Sequence, residues 1–294
     1  MSLVFEPIRL HQQAAYLACL EASPQRTSDY SFANVWGWAE AYDLHWAWAD
    51  HLVWLRQNKP ETTYWAPVGD WVSVDWQTCM AEHFKSDAVF DRIPQRLADI
   101  WEADISHRIR VKEARGQWDY LYSARELASL KGNRFHKKKN LVNQFLKKYD
   151  HTYMEMSPDI IDRALAMQSD WCLWRDCESH DTLIAENVAI EKVLNAWEKL
   201  RGITGGALIV EDQMVAYTVA ERLDAKNLLI HFEKADPAFK GAYQAINRMF
   251  AEHADTDIEW INREQDLDDE GLRKAKLSYR PVDFLKKYRV TLSA

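Results

Sequence analysis

The order of helix-like and strand-like segments occurs twice along this chain, and that doubling narrows the folds open to it more than any other feature. In the first half a helix-like stretch at 32–42 precedes three short strand-like runs at 44–49, 52–57 and 64–66. Their connections, Asp50-His51 and Asn58-Lys59-Pro60, are short enough for antiparallel hairpins. A helix at 77–84, a strand at 89–93, a helix at 95–102 and strands at 105–111 and 119–122 follow. The second half repeats the order, with a helix at 186–201, strands at 207–210, 214–221 and 228–232, a helix at 242–253, a strand at 258–261, a helix at 270–279 and a strand at 282–288. Within 242–253, Ala242, Ala245, Ile246, Met249 and Phe250 share one face at helical spacing. Antiparallel strands followed by alternating strands and helices make an α+β pattern. Two tandem α+β units are predicted, 1–149 and 150–294, each a mixed, mostly antiparallel sheet flanked by helices. A basic helix at about 133–149 closes the first.

Length agrees, since 294 residues at about 100–200 per domain leave room for two units. A composition 47% hydrophobic and 28% charged is globular and sets aside disorder, collagen and coiled coil. With 37 basic against 45 acidic residues the formal charge is −8, which argues against nonspecific binding of duplex DNA. The most apolar stretch, 31–55, is interrupted by Glu40, Asp43 and Asp50, and the N-terminus lacks the pattern of a signal peptide. No transmembrane anchor and a cytoplasmic location are therefore expected. Four cysteines make no disulfide framework. Cys172 and Cys177, near His180 and Asp181, lack the spacing of paired zinc knuckles, so buried thiols and no metal are expected. Fourteen Trp and twelve Tyr point to an aromatic core or an aromatic pocket without choosing between them.

The topology suggests where a site should lie. The third strand of each unit reaches the next through a helix, so the two strands should be parallel, and ligands in such sheets bind beyond the carboxyl ends. In the second half those ends carry Glu233 and Lys234, then Asn262, Arg263 and Glu264. The intervening helix starts at Lys240-Gly241, whose free amides could hold an anion, although Gly241 could equally serve only the turn. Glu233 could accept a proton or simply pair with Lys234, Lys240 or an inward-facing cation.

Two cations point the wrong way for solvated charges. In the segment 131–140 most basic residues read as a water-facing surface, but Lys138 falls within the arc of Phe135, Val142, Phe145 and Leu146, with Arg134 at its edge. Lys276 falls between Leu272 and Tyr279 on the inner face of its helix. A lysine in an apolar stripe needs a partner or a route to water. Lys276 could join Arg263 and Arg273 in a positive pocket, or form a buried ion pair with Glu264 or Asp266. Motifs for nucleotide hydrolysis, dinucleotide binding, zinc proteolysis and nucleophile-elbow hydrolysis are absent.

The runs LKGNRFHKKKNLVNQFLKKY, HFEKADPAFKGAYQAINRMFAEH and INREQDLDDEGLRKAKLSYRPVDFLKKY resemble an uncharacterised bacterial family related to the C-terminal domain of phosphatidylglycerol lysyltransferases, over about residues 31–288. The resemblance implies two tandem GNAT-like (acyl-CoA N-acyltransferase-like) domains related to the Fem aminoacyltransferases. It further implies transfer of an aminoacyl or acyl group, from aminoacyl-tRNA or acyl-CoA, to an amine, hydroxyl, peptide or lipid headgroup. The acyl-CoA turn of ordinary GNAT enzymes is not reproduced, since Gly241 follows Ala238 at that spacing and precedes Tyr243 by two; aminoacyl-tRNA is the preferred donor. By position the resemblance implies a catalytic group of Glu233, Lys276 and Tyr279. Substrate would be held by Lys240 and Gly241, by Asn262, Arg263, Asp266, Arg273 and Ser278, and by Arg134, Lys138 and Asn140. A non-catalytic polyanion- or tRNA-binding module and an acyl-CoA-dependent N-acetyltransferase remain as alternatives.

Overall fold

Strand pairing across two seven-stranded sheets organises the chain, seen in a computed structural model that describes residues 3–177 and 180–293. Compact units are built from discontinuous segments: residues 1–119, 265–269 and 285–294 form the first, and 120–264 with 270–284 the second. The division expected near residue 150 is therefore corrected. The basic helix His136–Lys148 belongs to the second unit, and each sheet recruits a strand from the other half of the sequence.

In the first unit the sheet runs Glu6–Pro7, His45–Ala49, Leu52–Gln57, Thr63–Tyr64, Ala88–Pro94, Lys287–Leu292, Ile109–Glu113. The hairpin at Asp50-His51 forms as expected, with Ala49 opposite Leu52 and both turn residues at positive φ, 55° and 61°. This is the turn geometry whose twist matches the flanking strands. Tyr64 pairs in parallel with Phe90 across the helix Trp76–His83, whose first turn is capped by the Asp75 carboxylate accepting from Thr78 N at 3.2 Å. The helix expected at 32–42 is broken at Trp38 into Phe32–Gly37 and Ala39–Tyr42. Trp46, Trp54, Trp71, Trp76 and Trp101 are fully buried here, Trp54 meeting Trp76 and Trp76 meeting Trp101 edge-on at 6.4 and 5.4 Å. These five tryptophans thus build core.

Charges lie inside this unit as well. The Lys287 ammonium, with no exposure, donates to Asp29 and, at 2.6 Å, to Asp119 Oδ1. Arg92 Nη1 reaches Asp29 Oδ1 at 2.7 Å, and Ser28 donates its hydroxyl and its amide to Asp119 at 2.7 Å each. Burial would raise the Asp29 pKa, but Lys287 and Arg92 outweigh it and hold the carboxyl below its ordinary range. The strand Lys287–Leu292 that carries this lysine lies between Ala88–Pro94 and Ile109–Glu113, antiparallel to both.

The second sheet runs Asp283–Leu285, Asp119–Ser123, Trp260–Asn262, Asn227–Ala235, Gln213–Arg222, Ile203–Val210, His151–Glu155. The helix Ala242–His253 crosses from Asn227–Ala235 to Trp260–Asn262, and that pair is parallel, as expected. Its buried Ala242, Ala245 and Ile246 pack with Phe145, Leu208, Val215 and Ala235. A second cluster gathers Tyr120, Tyr122, Ile230, Phe250, Ile261 and Tyr279. Both units are α+β, as the repeated order predicts, and together make the tandem GNAT-like arrangement that the resemblance implies. One cysteine expectation is corrected: Cys172 and Cys177 form a disulfide, so neither is a thiol. They lie at the end of the helix Pro158–Trp174 and just beyond it, five residues apart, a proximity that spacing alone does not reveal.

Candidate functional site

The parallel strands of the second unit pair over three residues only, 227–229 with 260–262. Beyond Leu229 one strand continues to Ala235 while the other ends at Asn262 and turns away, Arg263 N donating to the Tyr120 carbonyl. Along the continuing strand Phe232 pairs with Val219 and Ile230 with Ala220, leaving His231 as the extra residue of a bulge. Bulges re-aim side chains and locally break the ladder.

Alternation along the strand sends Glu233 and Lys234 to opposite faces. Lys234 goes to Glu186 Oε2 at 2.8 Å and lies 3.8 Å over the Trp171 ring, and burial lowers its pKa despite Glu186. Glu233 therefore has other partners than Lys234. Its Oε1 accepts from Arg263 Nη2 at 3.0 Å and its Oε2 from Asn247 Nδ2 at 3.1 Å. The ion pair is largely enclosed, with the Arg263 side chain 15% and that of Glu233 9% exposed. Burial opposes the Arg263 charge, yet Glu233 and then Tyr122 and Tyr279 raise its pKa above the ordinary value.

Arg263 lies 4.8 Å from the centroid of Tyr279 and 5.7 Å from that of Tyr122, and the Lys138 ammonium lies 4.2 Å from that of Tyr279. Burial, and next the Arg263 charge, lower the Lys138 pKa. The Tyr279 hydroxyl is pushed up, mainly by burial, and stays protonated. Two atoms of the group are buried without a hydrogen-bond partner, Arg263 Nη1 and Asn247 Oδ1. Such groups are uncommon in folded proteins, where they mark unfilled hydrogen-bonding capacity.

The structure brings Glu233, Arg263, Tyr279 and Lys138 together and redirects several other expected residues. Lys276 donates to the Arg263 carbonyl and so holds backbone; the Tyr122 hydroxyl donates to the Lys276 carbonyl at 2.8 Å. Asn262 Oδ1 accepts from Glu264 N at 2.8 Å and shapes the same turn. Ser278 donates to the Ala275 carbonyl at 2.5 Å, and Arg273 is half-buried three residues before Lys276 on the helix Glu270–Leu277. Asp266 belongs to the first unit, where it accepts from Arg115 Nη1 at 3.2 Å.

Lys240 is exposed at the start of its helix, Arg134 is exposed and paired with Glu126, and Asn140 is exposed within 3.0 Å of His136. Gly241 has φ 92°, and a Cβ there would lie 2.4 Å from the Leu141 carbonyl oxygen. Its glycine serves the turn and the close approach of a neighbouring helix, which is the simpler of its two readings.

Sequence reasoning missed Asn247, Tyr122 and His231. Asn247 interrupts the apolar face of the helix Ala242–His253 and is 1% exposed, the same kind of signal that singles out Lys138. His231 Nε2 lies 3.0 Å from Glu221 Oε2, and Nδ1 lies 3.2 Å from Glu264 Oε1. Burial opposes its charge, but hydrogen bonds to both carboxylates carry its pKa to about 9, so imidazolium donates to both. Glu264 follows Arg263 directly, so the bulge histidine anchors the turn that delivers the guanidinium.

The model of the family described as phosphatidylglycerol lysyltransferase, C-terminal, matches residues 20–291. A conserved protein of unknown function from Bacteroides thetaiotaomicron is 32% identical, with a TM-score of 0.87 over 99% of this chain and 100% of that one. The C-terminal domain (DUF2156) of a protein described as a lysylphosphatidylglycerol synthetase, from Agrobacterium fabrum, is 13% identical, with a TM-score of 0.66 over 97% of this chain and 93% of that one. It shares the fold. An uncharacterized protein of Mycoplasmoides gallisepticum is 24% identical over 175 residues, 58% of this chain, and the match spans 55% of that relative's length. Among the described residues no helix is long and apolar enough to cross a membrane.

Proposed function

The chain belongs to the family of phosphatidylglycerol lysyltransferase C-terminal domains, and from that premise we propose that it transfers an aminoacyl group from a phosphorylated carrier, aminoacyl-tRNA in preference to acyl-CoA, to an amine or hydroxyl. Its relation to transferases supports an acyltransferase in the broader sense. The observation that carries the reading is Arg263 Nη1, a buried guanidinium nitrogen without a partner where the parallel strands diverge.

In the proposed reaction the acceptor nitrogen or oxygen attacks the donor carbonyl, and its electron pair forms the new bond while the carbonyl pair moves onto oxygen. Arg263, with Lys138 beside it, stabilises that oxyanion. Collapse expels the carrier oxygen or sulfur, which takes a proton, and the attacking atom gives one up. Tyr279, kept protonated by burial, suits hydrogen-bond donation to the leaving atom. Glu233 has a lone pair left on each oxygen for the acceptor proton, but its pairing with Arg263 makes orienting that guanidinium its first role. Lys276 acts through the Arg263 backbone and is a positioning residue.

A second reading, a polyanion-binding module without turnover, is favoured by the closure of the group, since Tyr279 is 6% exposed. Thermal-shift titration with charged tRNA, uncharged tRNA, CoA and acetyl-CoA, followed by a transfer assay with labelled donor, separates the readings. A shift with charged tRNA together with labelled product supports the first. Equal shifts by every phosphate-bearing ligand without product support the second, and a shift confined to CoA compounds would replace tRNA by acyl-CoA as donor. Arg263→Lys should lower transfer by about 10²–10³-fold, the usual cost of losing an oxyanion donor, while Lys240→Ala leaves it unchanged. Undiminished transfer by Arg263→Lys removes Arg263 from the mechanism.

A further inference from the structure

We propose a metal site in the first unit, where Cys79, His83 and Asp50 would bind a zinc-class divalent cation. A thiol, an imidazole and a carboxylate each place one ligand atom within 4.8 Å of the other two. In a tetrahedral site with metal–ligand bonds of about 2.0–2.3 Å, ligand atoms lie about 3.3–3.6 Å apart. The trio therefore closes on an ion after shifts of about 1 Å.

Local structure explains how the three converge. Cys79 and His83 are four residues apart on the helix Trp76–His83 and so share a face. The imidazole is 3% exposed, its ring edge-on to Trp54 at 5.6 Å. Asp50 comes from the two-residue turn, whose backbone is held by the pairing of Ala49 with Leu52. Without an ion, Asp50 Oδ2 lies 2.5 Å from His83 Nε2, too close for both to bind one cation. The Asp50 side chain is 53% exposed and has room to swing outward.

The donor set selects the metal. One sulfur, one nitrogen and one oxygen suit zinc and its neighbours, whereas magnesium and calcium favour oxygen throughout. The exposed side of Asp50 leaves a fourth position open to water. Burial, with nearby Asp50, Glu82 and Asp75, pushes the Cys79 thiol up to about 12, so without metal it is protonated and a poor nucleophile. Binding would form the metal–sulfur bond and release the thiol proton to solvent.

The test uses the full chain stripped with chelator. Zinc titrated calorimetrically should bind with one ion per chain, releasing a proton and raising the melting temperature, and cobalt should give a thiolate charge-transfer band. Cys79→Ser should abolish the band. Asp50→Asn, a surface change that leaves the fold intact, should weaken zinc binding by about tenfold or more, and Cys19→Ser should change nothing. Absence of the cobalt–thiolate band in the wild type, or zinc affinity unchanged in both Asp50→Asn and His83→Ala, would overturn the site and leave a His83–Asp50 ion pair beside a buried thiol.

Discussion

Raising the pH above neutrality should strip stability from the second unit through one side chain, His231. Its imidazole, 1% exposed, is held between Glu221 and Glu264, and its pKa rises from 6.5 to about 9. At about 1.4 kcal/mol for each tenfold change, the folded state gains about 3 kcal/mol by holding this proton. A group whose pKa is higher folded than unfolded contributes fully below its unfolded pKa and loses that contribution as pH rises through its folded value. The stabilisation should be complete below about pH 6.5 and fall by about 1.4 kcal/mol per pH unit until it is exhausted near pH 9. Urea unfolding of the wild type and of His231→Gln at intervals from pH 6 to pH 9.5 measures this, because glutamine cannot carry the charge. The difference between the two proteins should shrink by about 3 kcal/mol over that range. A constant difference would show that His231 is neutral in the fold and would refute the clamp. Because Glu264 adjoins Arg263, ligand binding at the candidate site should weaken over the same interval.

Two further substitutions test features of the fold. Gly241→Ala places a Cβ 2.4 Å from the Leu141 carbonyl oxygen at φ 92° and should cost about 2–4 kcal/mol in urea unfolding; a change under about 0.5 kcal/mol would refute the close approach. Lys287→Met leaves Asp29 and Asp119 buried with one cation fewer and should cost about 3–5 kcal/mol. Adding Asp119→Asn should restore about 1 kcal/mol or more, and an additive double variant would show that Lys287 and Asp119 are not coupled.

What could be read from the sequence was whatever depends on neighbours close along the chain. The Asp50-His51 turn follows from a short polar break between apolar runs, and the parallel pair follows from a strand–helix–strand order. Lys138 is marked by its place among Phe135, Val142 and Phe145 on one helix arc. What could not be read depends on partners far apart in sequence. Nothing near Lys276 in sequence shows that its ammonium donates to the Arg263 carbonyl. Lys240, expected from its place at a helix start beside the strand ends, is exposed, since no apolar stripe draws it inward. Asn247 sat in plain view within an apolar face, but a neutral amide draws less notice than a lysine there. Glu233 lies inside its strand, which runs to Ala235 rather than ending at residue 232, and its ion pair with Arg263 joins residues 30 positions apart.

The interleaving of the two units in sequence bears on how the chain matures. The strand Lys287–Leu292 lies inside the first sheet, flanked on both sides, and carries the ammonium that neutralises Asp29 and Asp119. As the protein leaves the ribosome, that sheet waits with an open slot and two buried-to-be acids until the strand Lys287–Leu292 has emerged. The first unit therefore cannot complete itself ahead of the second, and a stop codon ahead of Lys287 would damage the part of the protein that was synthesised first.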